Sequence, residues 1–176
     1  MNVTILIRAL ARWLAILGGL VLVAITVMTV LSITGRAFIW AGLKPVPGDF
    51  ELVEAGTAFA VFAFLPWCQL NRGHATVDLF TNFLPASANR VIDLVSEILM
   101  ALVFVLITWR LWVGMFDKVA NGEITFILQY PVWWGFAVCA AATVVGVLVA
   151  LYMVAVRIGE VARGQSLLEP TQGALH

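Results

Sequence analysis

Long apolar stretches separated by short polar ones set the pattern of this chain. A helix needs about 20 mostly apolar residues to cross roughly 30 Å of hydrocarbon, so charge-free windows of that length mark candidate spans. One runs from Trp13 to Gly35, between Arg12 and Arg36. A second runs from Ala55 to Asn71, between Glu54 and Arg72, and the longest from Ile124 to Val156, between Glu123 and Arg157. Val91 to Phe116 is also strongly apolar apart from Asp93, Glu97 and Arg110, and reads as a further span. The pattern predicts an all-α integral membrane protein, one membrane domain over residues 1–176, with four spans near 13–38, 52–71, 88–116 and 132–157. The third helix is expected from about Ala86 to Asp117 and the fourth from about Val132 to Arg163. Each would be roughly 45–48 Å long at 1.5 Å per residue, which requires strong tilt or projection into the cytoplasm.

Arg8 and Arg12 precede the first span, as in a signal peptide, but the apolar run is too long for a typical h-region and no small-x-small cleavage site follows at once. An uncleaved first helix is expected. Trp13, Trp40, Trp67, Trp109, Trp112, Trp133 and Trp134 all fall near span ends, where an amphipathic indole sits at headgroup level. Trp133 and Trp134 thus serve as candidate interfacial anchors. The N-tail, the 2–3 connection and the C-tail carry Arg8, Arg12, Arg72, Arg90, Arg157 and Arg163, whereas the other two connections and their margins carry Arg36, Lys44 and Lys118. By the positive-inside rule both termini are cytoplasmic.

The connections carry turn chemistry. Lys44-Pro45 and Pro47-Gly48-Asp49 mark a turn before the second span, which Asp49, Glu51 and Glu54 open. Acids there complement the positive end of the helix dipole. Pro66 should kink that helix near its inner end. In the 2–3 connection Val77, Phe80 and Leu84 recur at helical spacing with Asp78, Thr81 and Asn82 elsewhere on the wheel. A short amphipathic helix over about 74–84, lying in the cytoplasmic interface, is expected. Asn121-Gly122 signals a turn, and Glu123 to Pro131 reads as a structured return segment before the fourth helix.

Composition narrows the function. The chain is 62% hydrophobic and 11% charged, against about 25% charged residues in soluble domains, and its acids and bases balance at ten each. A basic nucleic-acid binder and an acidic solvating tail are excluded. Cys68 and Cys139 lie far apart in apolar surroundings, with no C-x-x-C pair and no zinc spacing. His74 falls in a connection and His176 is terminal, so no span offers an axial haem ligand. No H-E-x-x-H, G-x-S-x-G or phosphate-cradling glycine loop is present. No catalytic residue, metal ligand or cofactor is expected, and an enzyme is not indicated.

Ionisable residues within spans are functional candidates. Arg90, Asp93 and Glu97 share one helical face, which fits either a proton or ion relay or a salt-bridge cluster at the cytoplasmic interface. Arg110 lies near the outer end of its span, where it snorkels or pairs with an acid on another helix or subunit. Ala142, Gly146 and Ala150 form a small-xxx-small row that permits close helix approach, within the bundle or against a partner. Gln69 and the cysteines read as buried packing residues.

One stretch is more specific. Phe64-Leu65-Pro66-Trp67-Cys68-Gln69-Leu70-Asn71-Arg72-Gly73-His74-Ala75-Thr76-Val77-Asp78-Leu79-Phe80, followed by Leu84-Pro85, resembles the G-H-x-x-V-D-hydrophobic signature of the small permease (DctQ-type) subunit of tripartite ATP-independent periplasmic (TRAP) transporters. Gly73, His74, Val77 and Asp78 match it. Gly122 to Trp134 is similar to the family's outer loop before its last helix, and Arg36 and the acids opening the second span are similar too. Ala75-Thr76 departs from relatives that carry a branched or basic residue there. The resemblance implies a bacterial inner-membrane protein that binds a large multi-span permease subunit and works with a periplasmic substrate-binding protein. In such systems the large subunit carries the substrate and ion sites and moves as an elevator. Uptake, often of a carboxylate, is driven by an ion gradient, usually sodium. The small subunit widens the static scaffold. Two other readings stay open on the residues alone: a self-assembling proton-coupled transporter using Glu54 or Glu97, and a membrane interaction protein unrelated to transport.

Overall fold

The computed structural model describes residues 2–71 and 86–163. Gly73, His74, Val77, Asp78, Phe80 and Leu84, and with them the expected interfacial helix, lie outside the described residues. The described chain contains α1 (Asn2–Ala37), a short 3-10 turn (Ile39–Ala41), α2 (Asp49–Leu70), α3 (Ala86–Asn121) and α4 (Trp133–Arg163). All four helices are long and apolar enough to cross a membrane. No strand occurs among the described residues; an isolated bridge pairs Ile124 with Pro131.

Helix α1 begins well before the charge-free window that starts at Trp13. Arg8 and Arg12 shorten the apolar window without disfavouring the helix, because arginine is itself a good helix former. The 36 residues of α1 span about 54 Å, far more than the hydrocarbon core. Helix α2 is the short one: its 22 residues span about 33 Å, just enough to cross. It continues through Pro66, whose ring is buried.

Packing follows the small residues. Helix α1 packs on α2, α2 on α4, and α4 on α3, with α1 also touching α4. Gly18 faces Ala63, and Gly56 faces Val21 and Ile25, so α1 and α2 approach closely where a larger side chain would collide. Gly146 does the same between α4 and the ring of Phe104 on α3. The helices therefore lie in the order α1, α2, α4, α3. In its most apolar window α4 is 44% buried and α1 only 6%, so α4 is the central helix and α1 presents its outer face. Leu17, Leu20, Val23, Val27 and Val30 on that face are exposed. Against water such a patch would drive aggregation; against lipid tails it is at no disadvantage.

The row is not uniform along its length. At the end where α1 begins and α4 finishes, the terminal end, α1 leans onto α4. Ala11 packs with Val149 and Met153, and the Tyr152 hydroxyl donates to Thr4 Oγ1 at 3.0 Å. There α2 also reaches α3, through Leu65 against the cluster of Ala101, Phe104 and Ala150. At the opposite, hairpin end, where the 1–2 and 3–4 connections turn, a groove lies between α2, α4 and Leu111 of α3.

Candidate functional site

Polar side chains gather at both ends of the bundle. At the terminal end the centre is Arg157 on α4, only 6% exposed. Its Nη1 donates to Glu160 Oε2 at 2.7 Å, one turn further on, and lies 3.0 Å from Asp93 Oδ2 on α3. Glu160 is 2% exposed. A guanidinium shared by two carboxylates makes buried charge tolerable, since each ion is paired, though Arg157 Nε has no hydrogen-bond partner among the described residues. One turn along α3 from Asp93, Glu97 accepts a hydrogen bond from Gln69 Nε2 of α2 at 2.7 Å. Gln69 is 2% exposed, and its amide oxygen has no partner among the described residues. The polar cluster thus ties α2, α3 and α4 together.

Asp93 and Glu97 therefore meet other helices, and Arg90 lies on the same helix one turn earlier. The sequence places the two acids on one face and Gln69 in the buried interior, as found, but does not show the link from Gln69 to Glu97 or the part played by Arg157 and Glu160. In the sequence Arg157 marks the end of an apolar window and counts toward the positive-inside pattern, and nothing there points to Asp93. Arg110 is exposed on α3 and makes no ion pair among the described residues. Ala142 and Ala150 are buried, and the Gly146 surface is filled by Phe104, so the small-residue row packs inside this chain. Trp134 is exposed and stacks with Tyr130, while Trp133 meets Trp134 edge-on.

At the hairpin end the acids that open α2 do more than complement a helix dipole. Asp49 Oδ2 accepts from Ser32 Oγ at 2.5 Å and from Arg36 Nη2 at 3.3 Å, closing the 1–2 connection onto α1. The backbone of Lys44 crosses directly over Gly35, where any Cβ would strike its carbonyl. Glu51 reaches the 3–4 connection, accepting from the backbone N–H of Ile127 at 2.7 Å and of Leu128 at 3.0 Å. Within that connection the Thr125 N–H donates to the Tyr130 carbonyl and the Val132 N–H to Glu123. Gln129 takes a left-handed backbone, φ 53°, at the turn. Lys118 Nζ lies 2.6 Å from Glu123, and that hydrogen bond holds the Glu123 carboxyl below its ordinary range against partial burial. Burial pushes the Tyr130 phenol up, and the charges of Glu51 and Glu54 add to the shift. The result is a shaped loop whose tip, Phe126, is 98% exposed.

Below that loop lies the groove, about 580 Å³ in volume. Its walls are Ala55, Ala58 and Phe62 of α2 and Leu111 of α3, and its floor is Phe136 and Cys139 of α4. Glu51, Glu54 and Glu123 line it, with no basic residue.

The family model described as tripartite ATP-independent periplasmic transporters, DctQ component, matches residues 25–163. The chain belongs to that family. Comparison with curated proteins and with solved structures returns no match. Membership in the DctQ family makes this multi-pass membrane protein the small subunit of a TRAP transporter and gives it a role in transport. The match covers the last part of α1, from residue 25, and all of α2, α3 and α4, so the Arg157 cluster and the hairpin-end loops fall within it. No group of three or more His, Cys, Asp or Glu side chains able to hold a metal ion occurs among the described residues. What the arrangement offers is mechanical: an Arg157 ion-pair cluster and a Gln69–Glu97 hydrogen bond that tie three helices, and an open groove at the other end.

Proposed function

We propose that this chain is the scaffold subunit of a binding-protein-dependent, ion-gradient-driven importer for an organic acid or similar small solute. It acts in the bacterial inner membrane with a large multi-span permease subunit and a periplasmic substrate-binding protein, its two termini in the cytoplasm. Family membership carries this reading. Physical support comes from the layered fold. An element that must move across a membrane needs a neighbour that does not tilt, and a row of helices tied by a buried Arg157 cluster supplies that stiffness. Arg110 and the family-motif residues Gly73, His74, Val77 and Asp78 are further candidates for contact with the rest of the transporter. Val77, Phe80 and Leu84 would anchor the cytoplasmic face, with Trp133 and Trp134 at the other interface.

The test is co-purification from native membranes followed by reconstitution. The large subunit should travel with this chain, and uptake into proteoliposomes should need both membrane subunits, the binding protein and an ion gradient. Transport by this chain alone, or undiminished uptake without it, would refute the reading. Charged replacements of Val77, Phe80 and Leu84 should lower complex yield.

A further inference from the structure

The hairpin-end groove has the size of a binding site, and ligand pockets commonly fall between about 300 and 1,000 Å³. Its lining combines apolar surface with three carboxylates and no cation. Glu51 is occupied by the loop amides of Ile127 and Leu128, and Glu123 by Lys118. Glu54 is exposed and has no hydrogen bond or ion pair within the described chain. It sits five positions into α2, about 7–8 Å inside the helix start, on a helix barely long enough to cross the membrane. An ionised carboxylate at that depth is costly until it finds a partner.

The charge selects the occupant. A phospholipid or an organic acid would bring its own negative charge to a lining of carboxylates. A second copy docking through the same surface would bring the two Glu54 carboxylates into one interface, where like charges repel. An apolar body carrying a cation meets neither obstacle. We propose that the groove receives a membrane helix of the large subunit that packs bulky apolar side chains against Ala58 and Phe62 and sets a Lys or Arg against Glu54. The inference rests on the preceding reading that such a subunit exists, and adds where it is gripped. The outer face of α1 is equally apolar but carries no charge between Arg12 and Arg36, so it is left to lipid.

The experiment uses the full chain in membranes that contain the large subunit, with a photoreactive benzophenone side chain placed at Ala58 in the groove or at Leu20 on α1. Irradiation should join position 58, and not position 20, to the large subunit. In parallel, Glu54→Lys should cut recovery of the large subunit by about tenfold or more, since it sets a cation against a cation, and Glu54→Gln should cut it less. An adduct at 58 with lipid or with a second copy of this chain overturns the proposal, as does full recovery with Glu54→Lys. Should Glu54→Lys fail to fold, the cross-link from position 58 decides alone. If the unmodified chain recovers no large subunit, the functional reading itself falls and takes this inference with it; recovery by wild type and Glu54→Lys alike sinks the inference only.

Discussion

At the terminal end Arg157 and Glu160 are almost wholly buried, and Arg157 joins Glu160 on its own helix to Asp93 on α3. At the hairpin end Arg36–Asp49 and Lys118–Glu123 stay partly exposed; the first ties the end of α1 to the start of α2, and the second ties α3 to the connection that follows it. The same residue types thus do different work. Desolvated charges fix which helices touch, because an unpaired partner would be left stranded. Exposed ones shape loops and leave the space between α2 and α3 unfilled. Side-chain ties between helices at one end and an open groove at the other give a body that is fastened yet keeps a free surface.

The contrast can be broken most severely at Arg157. Arg157→Leu removes the cation shared by Asp93 and Glu160, and loss of about 3–5 kcal/mol is expected for a buried pair broken on one side. Thermal unfolding in detergent would register it, and Arg157→Lys should recover only part, lacking the planar fork. Gly146→Leu comes next, since a side chain there collides with Phe104; overpacking of about 1–3 kcal/mol is expected, read by the same assay, with the groove left intact. Glu51→Ala should barely move global unfolding. It should instead speed hydrogen exchange at the Ile127 and Leu128 amides several-fold, because it removes their acceptor.

The smallest effect is the pH response of Glu123. Its carboxyl is held low in the folded chain, so its contribution is present above the unfolded value and is lost as pH falls through the folded one. Lys118→Gln should flatten that acid-side slope, and added salt should weaken it too, whereas the Arg157 cluster should resist salt. A salt-sensitive Arg157 contribution would erase the distinction between the two ends.

Much of the fold was legible because span length is a local property. Four apolar runs announce four helices, and Asn121-Gly122 and Pro131 bracket the loop that joins the last two. The polar contacts were legible only by half. The 3.6-residue period puts Asp93 and Glu97 on one face, yet nothing local points from Asp93 to Arg157 or from Glu97 to Gln69. Asp49 and Glu51 look like ordinary dipole-compensating acids because that pattern and theirs are identical over one turn. Their partners, Ser32 and the amides near Leu128, become neighbours only after the helices pack. Gln69 hid inside an apolar run for the same reason.

Glu51 belongs to the first helical hairpin, and the amides it grips belong to the second. The overhang above the groove therefore takes form only when the two halves of the chain have come together. A partner that recognises this recess would bind finished subunits and pass over half-assembled ones, so the cell could match the supply of the two membrane components without a separate inspector.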